Sequence, residues 1–257
     1  MTKPTAVDGA ALLRWIELEL PEPPWSEREP FLGFAYLDPQ AGLSAKGGRA
    51  GDPTQVAGPA LTVRLPIGVP GRVLDDDEVA RRGLPAAPPW LSFYGPQPPV
   101  HGPWRTDPGL RGRFHPQYPD DLQVLVHDGE PRRTGKRTEV CWVRVVAGDG
   151  GLYEGELLNQ PHQLATVKAG DRLRFLSDPG GKHPLHVTPE YLAERDGWEI
   201  QPCPSCGMKE TLDAPSVMAR TRFPDAGGSE TAIPVMFSAH CALCGPPHAQ
   251  LLKRRGE

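Results

Sequence analysis

The sequence lacks any run of about 18 apolar residues, the length that a membrane-spanning helix needs. Its first nine residues also lack the basic stretch followed by an apolar core that directs secretion. Neither sign of charge is in large excess, because 28 Lys and Arg stand against 32 Asp and Glu and leave a formal net charge of -4. The sequence therefore favours neither a membrane nor a nucleic acid as a partner. We expect a cytoplasmic protein, whose oligomeric state the sequence leaves open.

Recognisable catalytic signatures are also missing. The chain has no Gly-x-Ser-x-Gly elbow and no His-Glu-x-x-His pattern. Gly180-Gly181-Lys182 resembles part of a phosphate-binding loop, but His183-Pro184 follows where such a loop needs Ser or Thr and then a helix. Cys141 lies in an apolar strand pattern, where a cysteine acts as a small buried hydrophobe. The sequence favours a non-enzymatic protein and leaves enzymatic activity open.

Proline and glycine are abundant, with 32 and 29 residues of 257, and they divide the chain into short pieces. A chain of this length can bury one large core or several small ones, and we favour several. We predict a Pro/Gly-rich, irregular, β-containing region over 1–113, a β domain over 114–200 and a zinc-ribbon-like module over 201–257. Aromatic residues within 85–119, such as Trp104, are either surface anchors for a partner or part of the core.

Four of the five cysteines form two short pairs, Cys203 with Cys206 and Cys241 with Cys244. Two intervening residues allow a tight turn to direct both thiolates at one metal ion, and a glycine follows each pair. Four cysteines in this spacing predict a structural zinc site with no open coordination position. A redox dithiol is the alternative, but it favours a single pair beside a βαβ pattern, which is absent.

The 34 residues between Cys206 and Cys241 are many for a simple ribbon, so we expect an elaborated hairpin or a treble-clef-like variant. Ser216–Phe223 and Thr231–Ser238 are the predicted ribbon strands, joined by a loop over Pro224–Glu230. Lys and Arg number six from Glu199 to Glu257, and so do Asp and Glu. This balance does not favour nucleic-acid binding by the ribbon, which remains an alternative.

The middle of the chain carries the strongest strand patterns. Val140–Val146 is rich in β-branched and aromatic residues, and a Gly-Asp-Gly-Gly turn leads to a returning strand over Leu152–Leu158. Thr188 as N-cap, with proline at the first helical position, predicts a short helix over Pro189–Asp196. The predicted fold class is mainly β with few short helices (α+β), consisting of a small, strongly bent sheet or barrel and a C-terminal zinc ribbon.

Residues 114–200 resemble the YegJ-like bacterial domain of unknown function. The resemblance rests on the following stretches: His115–Asp121, Glu139–Val145 with its Trp-Val pair, the Gly-x-Leu-Leu-Asn-x-Pro segment Gly155–Pro161, and the turn Lys168–Asp171. It implies a compact, mostly β domain whose relatives occur near polymorphic-toxin immunity genes. It implies no catalytic residues.

The leading functional hypothesis is therefore a non-enzymatic, zinc-containing binding module, in its most specific form an immunity or accessory protein that contacts another protein. The alternative is a hydrolase or transferase with a site between the N-terminal region and the β domain. Its candidate groups are Asp120, Asp121, His115 and His183.

Overall fold

The fold is mainly β, as the sequence predicts. A computed structural model describes residues 5–7, 11–20, 30–50, 61–65, 69–98, 102–129, 131–223 and 234–256. Among these residues no helix has both the length and the apolar character needed to cross a bilayer. The predicted loop over Pro224–Glu230 lies outside the described residues.

The described strands are numbered β1 to β15 in chain order. They are Thr5–Ala6, Trp15–Leu18, Phe31–Asp38, Gly42–Arg49, Leu61–Arg64, Pro70–Val73, Phe114–His115, Tyr118–Val126, Glu139–Asp149, Leu152–Leu157, Arg172–Leu176, Leu185–Val187, Trp198–Ile200, Met236–His240 and Ala249–Arg254. The described α-helices, α1 to α4, are Asp76–Arg81, Pro131–Thr134, Pro189–Arg195 and Pro215–Arg222, and short 3₁₀ helices span Pro89–Tyr94 and Pro103–Thr106.

Contacts group the chain into two units, the first containing residues 1–105 and 114–120 and the second 106–113 and 121–257. The first unit is built on an antiparallel sheet in the order β1-β6-β2-β3-β4-β5. Strand β3 is buried on both faces, because Phe31 and Ala35 enter one core cluster while Leu32 and Phe34 enter another. Helix α1 has a side-chain cap at its N-terminus, since the Asp75 carboxylate accepts from the Glu78 N–H at 2.8 Å.

The second unit contains the strands with the strongest sequence patterns. Strands β8 to β12 are adjacent in chain order, and β12 also pairs in parallel with β8 through Leu185 and Leu125. This last pairing closes the five strands into a small barrel. The barrel interior includes Val124, Val143 and Phe175, each almost fully buried. The prediction of a strongly bent sheet or barrel is therefore confirmed.

Helix α3 confirms the prediction made from its capping residues. The Thr188 hydroxyl accepts from the Tyr191 N–H, and Pro189 occupies the first helical position. The prediction of a ribbon strand over Ser216–Phe223 is wrong, because these residues form helix α4 and its C-cap. Proline again stands at the first helical position, and the Glu194 carboxylate of α3 accepts from the Ser216 N–H at 2.7 Å. A cap supplied by a distant side chain gives no signal in the local sequence.

A three-stranded antiparallel sheet in the order β13-β15-β14 carries the C-terminal cysteines. One face of this sheet packs on α4 through Trp198, Phe237 and Met218, which belong to one buried cluster. The described sheet thus includes one strand that precedes both cysteine pairs and two that flank the second pair.

Candidate metal centre

The structure brings the four predicted cysteines into one cluster. Their Sγ atoms all lie within 4.8 Å of one another, with Cys203 3.9 Å from Cys244 and Cys206 3.7 Å from Cys241. Metal–sulfur bonds of ~2.3 Å in a tetrahedron place the sulfurs about 3.8 Å apart. The cluster therefore has the donor set and the spacing that hold a tetrahedral metal ion. Among the described residues, no other group of three or more His, Cys, Asp or Glu side chains is close enough to do so.

Each cysteine pair forms the same tight turn, here called the first knuckle (203–207) and the second knuckle (241–245). The glycine N–H at the end of each knuckle donates to the carbonyl of its first cysteine at 2.9 Å. Gly207 and Gly245 have φ values of +76° and +66°, in the left-handed region where a side chain is strained. The requirement for glycine at these two positions explains why it follows each pair.

Backbone N–H groups inside each knuckle point at the sulfur of its first cysteine. The Cys203 Sγ accepts from the Cys206 and Ser205 N–H groups, and these bonds lower the pKa of Cys203 to about 7. Burial raises the pKa of Cys206 to about 12 and also raises that of Cys241, although the Cys244 and Leu243 N–H groups act in the opposite direction on Cys241. Donors aimed at sulfur favour the thiolate form, which is the form that binds metal.

The first knuckle packs closely on the turn that follows β11. The Lys209 N–H donates to the Pro179 carbonyl at 2.6 Å, and a Cβ placed on Gly180 would lie 2.3 Å from the Gly207 carbonyl oxygen. Only glycine permits this approach between the two backbones. Gly180 belongs to the sequence that only superficially resembles a phosphate-binding loop, and its structural function is to seat the knuckle. Local sequence analysis could not identify this contact.

A buried polar network also holds the first knuckle. Gln250 of β15 donates from Nε2 to the Met208 carbonyl at 2.9 Å and to the Glu210 carbonyl at 3.3 Å. The Glu210 carboxylate accepts from Arg195 Nη2 at 2.7 Å and from the Tyr191 hydroxyl, both on α3. Gln250 and Glu210 are 2% and 6% exposed. Sequence analysis missed both residues, because each is identified only by partners far away in the chain.

The metal cluster and the barrel share a hydrophobic core. Cys203, Met208 and Cys241 belong to one buried cluster with Leu125 and Leu185, the residues through which the barrel closes. A metal ion bound by these cysteines would therefore lie against the hydrophobic core of the second unit.

The carboxylates of the alternative enzymatic hypothesis are engaged by separate arginines. In the first unit the Asp120 carboxylate accepts from Arg105 and from the Trp104 indole, at 2.8 Å and 2.7 Å. In the second unit the Asp121 carboxylate accepts from Arg144 Nε at 2.8 Å. Both patterns are those of structural ion pairs.

The candidate histidines show no catalytic arrangement in the described contacts. The His115 Nδ1 accepts from the Gln117 N–H at 3.1 Å, as in a local turn. Burial lowers the pKa of His183, and the charges of Lys182 and Arg113 act in the same direction.

His186, near His183 in the sequence, is half-buried and pairs with the buried His127. The His127 Nδ1 accepts from the Gly129 N–H at 3.1 Å, so its Nε2 carries the proton and donates to the His186 carbonyl at 2.8 Å. The His186 Nδ1 lies 3.1 Å from the His127 carbonyl. Burial lowers the pKa of His127 to about 4 and that of His186 to about 3. These contacts connect the strand ends where β8 and β12 meet.

The structure shows the positions of Trp104, which the sequence leaves open, and of Cys141. Trp104 is buried and bonded to Asp120, so it belongs to the core of its unit, whereas Phe93 in the same aromatic stretch is 86% exposed. Cys141 is 1% exposed in β9, as the sequence predicts for a small buried hydrophobe, and burial raises its pKa.

The motifs that carry the resemblance of residues 114–200 have structural explanations. The Asn159 side chain accepts from the Trp142 N–H at 2.7 Å, and the Asp171 carboxylate accepts from the Lys168 N–H at 2.9 Å.

No protein-family model, no curated protein and no solved structure matches the chain. The resemblance to the YegJ-like domain therefore has no support from a family match.

Proposed function

We propose that the chain is a non-enzymatic binding module whose second unit is stabilised by one zinc ion on Cys203, Cys206, Cys241 and Cys244. The observation that carries the proposal is the tetrahedral spacing of four cysteine sulfurs within a shared hydrophobic core. Four thiolates fill the coordination shell of zinc, so the ion has no position for a substrate. Four thiolates in a tetrahedron hold either zinc or iron, and we propose zinc, which is typical of structural sites built from two CxxC pairs.

The proposed partner is another protein. Of the groups named in the enzymatic hypothesis, Asp120 and Asp121 are bound to arginines and His115 accepts from a backbone N–H, as structural residues do. An immunity or accessory role is the more specific form of the proposal, and it follows only from the resemblance of residues 114–200.

Metal analysis of the purified full chain tests the metal part of the proposal. We expect one zinc per chain by plasma mass spectrometry and slow reaction of the four thiols with a thiol reagent until a chelator is added. A sample with iron in place of zinc, or with no metal and four freely reactive thiols, would contradict it.

Affinity capture tests the partner part. The tagged, zinc-loaded chain is incubated with lysate of its own organism, and bound proteins are identified by mass spectrometry against the Cys203→Ser variant. We expect one protein in stoichiometric amount that the variant does not retain. Turnover of small substrates by the purified chain, without a protein partner, would instead support the enzymatic alternative.

A further inference from the structure

The densest run of cations in the chain has no part in the proposed metal site. Residues 132–137 contain four Lys or Arg, and no other window of six residues contains as many. The run passes through α2 into the loop 135–138, where Lys136 and Arg137 are exposed. In the described part of the chain, neither side chain forms an ion pair with a carboxylate.

The fold places this loop opposite the second knuckle. A cleft of about 680 Å³ lies between them, with the loop as one wall and residues 240–246 as the other. Both walls belong to the second unit. A volume of this size is within the roughly 300 to 1,000 Å³ range of ligand-binding clefts. These cations lie more than sixty positions before Glu199–Glu257, so the balance of charge over that segment does not include them.

The two walls of the cleft differ in chemistry. Lys136 and Arg137 supply positive charge, and the described lining contains no Asp or Glu. The knuckle wall presents the apolar side chains of Ala242, Leu243 and Pro246 beside His240 and the metal ligands Cys241 and Cys244. Leu243 is 37% exposed. The carboxylate of Glu139, which follows Thr138 of the lining, is occupied by the backbone N–H groups of residues 162 and 163 at 2.7 and 2.8 Å.

We propose that this cleft binds an acidic peptide segment of a partner protein, with carboxylates on Lys136 and Arg137 and an apolar side chain against Leu243. This inference rests on the proposed function, of which it names the surface and the chemistry of the partner. Carboxylates match the unpaired cations, and an apolar neighbour matches the knuckle wall. A single-stranded nucleic acid fits less well, because its bases need several aromatic side chains to stack on and the described lining offers only the His240 ring.

The test uses the full, zinc-loaded chain and a phage library of random twelve-residue peptides. We expect enriched peptides that combine Asp or Glu with a Leu or similar apolar residue. The most enriched peptide, synthesised with a fluorescein label, should bind the Lys136→Glu/Arg137→Glu variant at least about tenfold more weakly, and its affinity should fall at ~0.5 M salt.

The matched control is Lys168→Glu/Lys253→Glu, which changes the net charge equally at exposed lysines outside the cleft lining. It should leave the affinity within about twofold of the original, and a loss equal to that of the cleft variant would overturn the proposal. No enrichment of acidic peptides would overturn it as well. Tighter binding of a mixed-sequence single-stranded oligonucleotide, lost in the cleft variant, would overturn the peptide assignment.

Zinc content and thermal unfolding are measured on the same samples. A sample without zinc contradicts the proposed metal function itself. A sample with one zinc per chain and normal unfolding that selects no acidic peptide contradicts only the inference about the cleft.

Discussion

The two knuckles have the same local chemistry and different surroundings. Both use a CxxC turn that ends in a left-handed glycine, with an N–H bond of 2.9 Å back to the first cysteine. Beyond the first knuckle the chain enters the interior, where Met208 and Glu210 are buried. Beyond the second, Pro246 is exposed and borders the cleft. Metal binding explains the CxxC turn and the left-handed glycine that the two knuckles share. From their surroundings we infer that the first knuckle anchors the metal site and that the second faces the cleft proposed to bind a peptide.

The largest expected effect comes from removing the metal, on which both knuckles depend equally. We predict that Cys241→Ser lowers the free energy of unfolding of the second unit by roughly 3 to 5 kcal/mol, part of the ~10 to 16 kcal/mol that structural zinc supplies in zinc-finger peptides. Urea unfolding followed by circular dichroism, with metal analysis, measures the loss.

Cys141→Ala is the control for this experiment, since Cys141 is buried outside the cluster. It should cost only about 1 kcal/mol for the lost thiol and leave the metal content unchanged. Equal losses from the two variants would show that the cluster does not stabilise the unit.

The next effect is on the barrel beneath the first knuckle. The pKa values of His127 and His186, about 4 and about 3, lie below the ~6.5 of an unfolded histidine, so the unfolded chain binds the protons more strongly. Their contribution is complete above about pH 6.5 and is lost as the pH falls toward about 4 for His127 and about 3 for His186. We predict a loss of about 2 kcal/mol per histidine at pH 5, measured by urea unfolding at pH 7.5 and 5.

His127→Gln should make this pH dependence shallower, whatever its effect on stability at pH 7.5. His162→Gln, at an exposed histidine, should leave the dependence as it is. An unchanged pH dependence in His127→Gln would assign the acid sensitivity to other groups.

A direct comparison of the knuckles uses their glycines. A Cβ at Gly245 would meet no atom within 4 Å, whereas at Gly207 it would lie 2.9 Å from the Gly180 carbonyl oxygen. Both replacements carry the cost of a positive φ, about 1 kcal/mol. We predict that Gly245→Ala costs about that amount and that Gly207→Ala costs about 1 to 2 kcal/mol more, as measured by thermal unfolding. Equal costs would mean that the first knuckle is no more closely packed than the second.

The smallest expected effect concerns the hydrogen bonds from β15 to Met208 and Glu210, which directly follow the first knuckle. Gln250→Leu removes both bonds from Nε2 and should cost about 1 kcal/mol while one zinc per chain is retained. Gln201→Leu, at an exposed glutamine, is the matched control and should have almost no effect. Zinc competition with a chromogenic chelator should show faster metal release from Gln250→Leu alone.

Features set by neighbouring residues could be predicted from the sequence. The knuckles follow from CxxC and glycine, helix α3 from Thr188 and Pro189, and β9 from its β-branched and aromatic residues. In each case the residues that form the element also stabilise it, so a short window of sequence contains the necessary information.

Features set by distant partners could not be predicted. Helix α4 depends on a cap from Glu194, the first knuckle depends on Gly180 and Gln250, and the cleft depends on cations from the loop before β9. None of these pairs is adjacent in the chain. Local propensity at Ser216–Phe223 permits more than one structure, and the tertiary contact decides between them.

The parallel pairing of β12 with β8 affects the order of events during synthesis. The barrel can close at Leu125 only after Leu185, 60 positions later, has been synthesised. Until then the growing chain has an open sheet edge that can pair with other chains, a state in which chaperones protect nascent proteins. Cys244 emerges later still, so the complete set of metal ligands becomes available only after every barrel strand has been made, and zinc would enter after them.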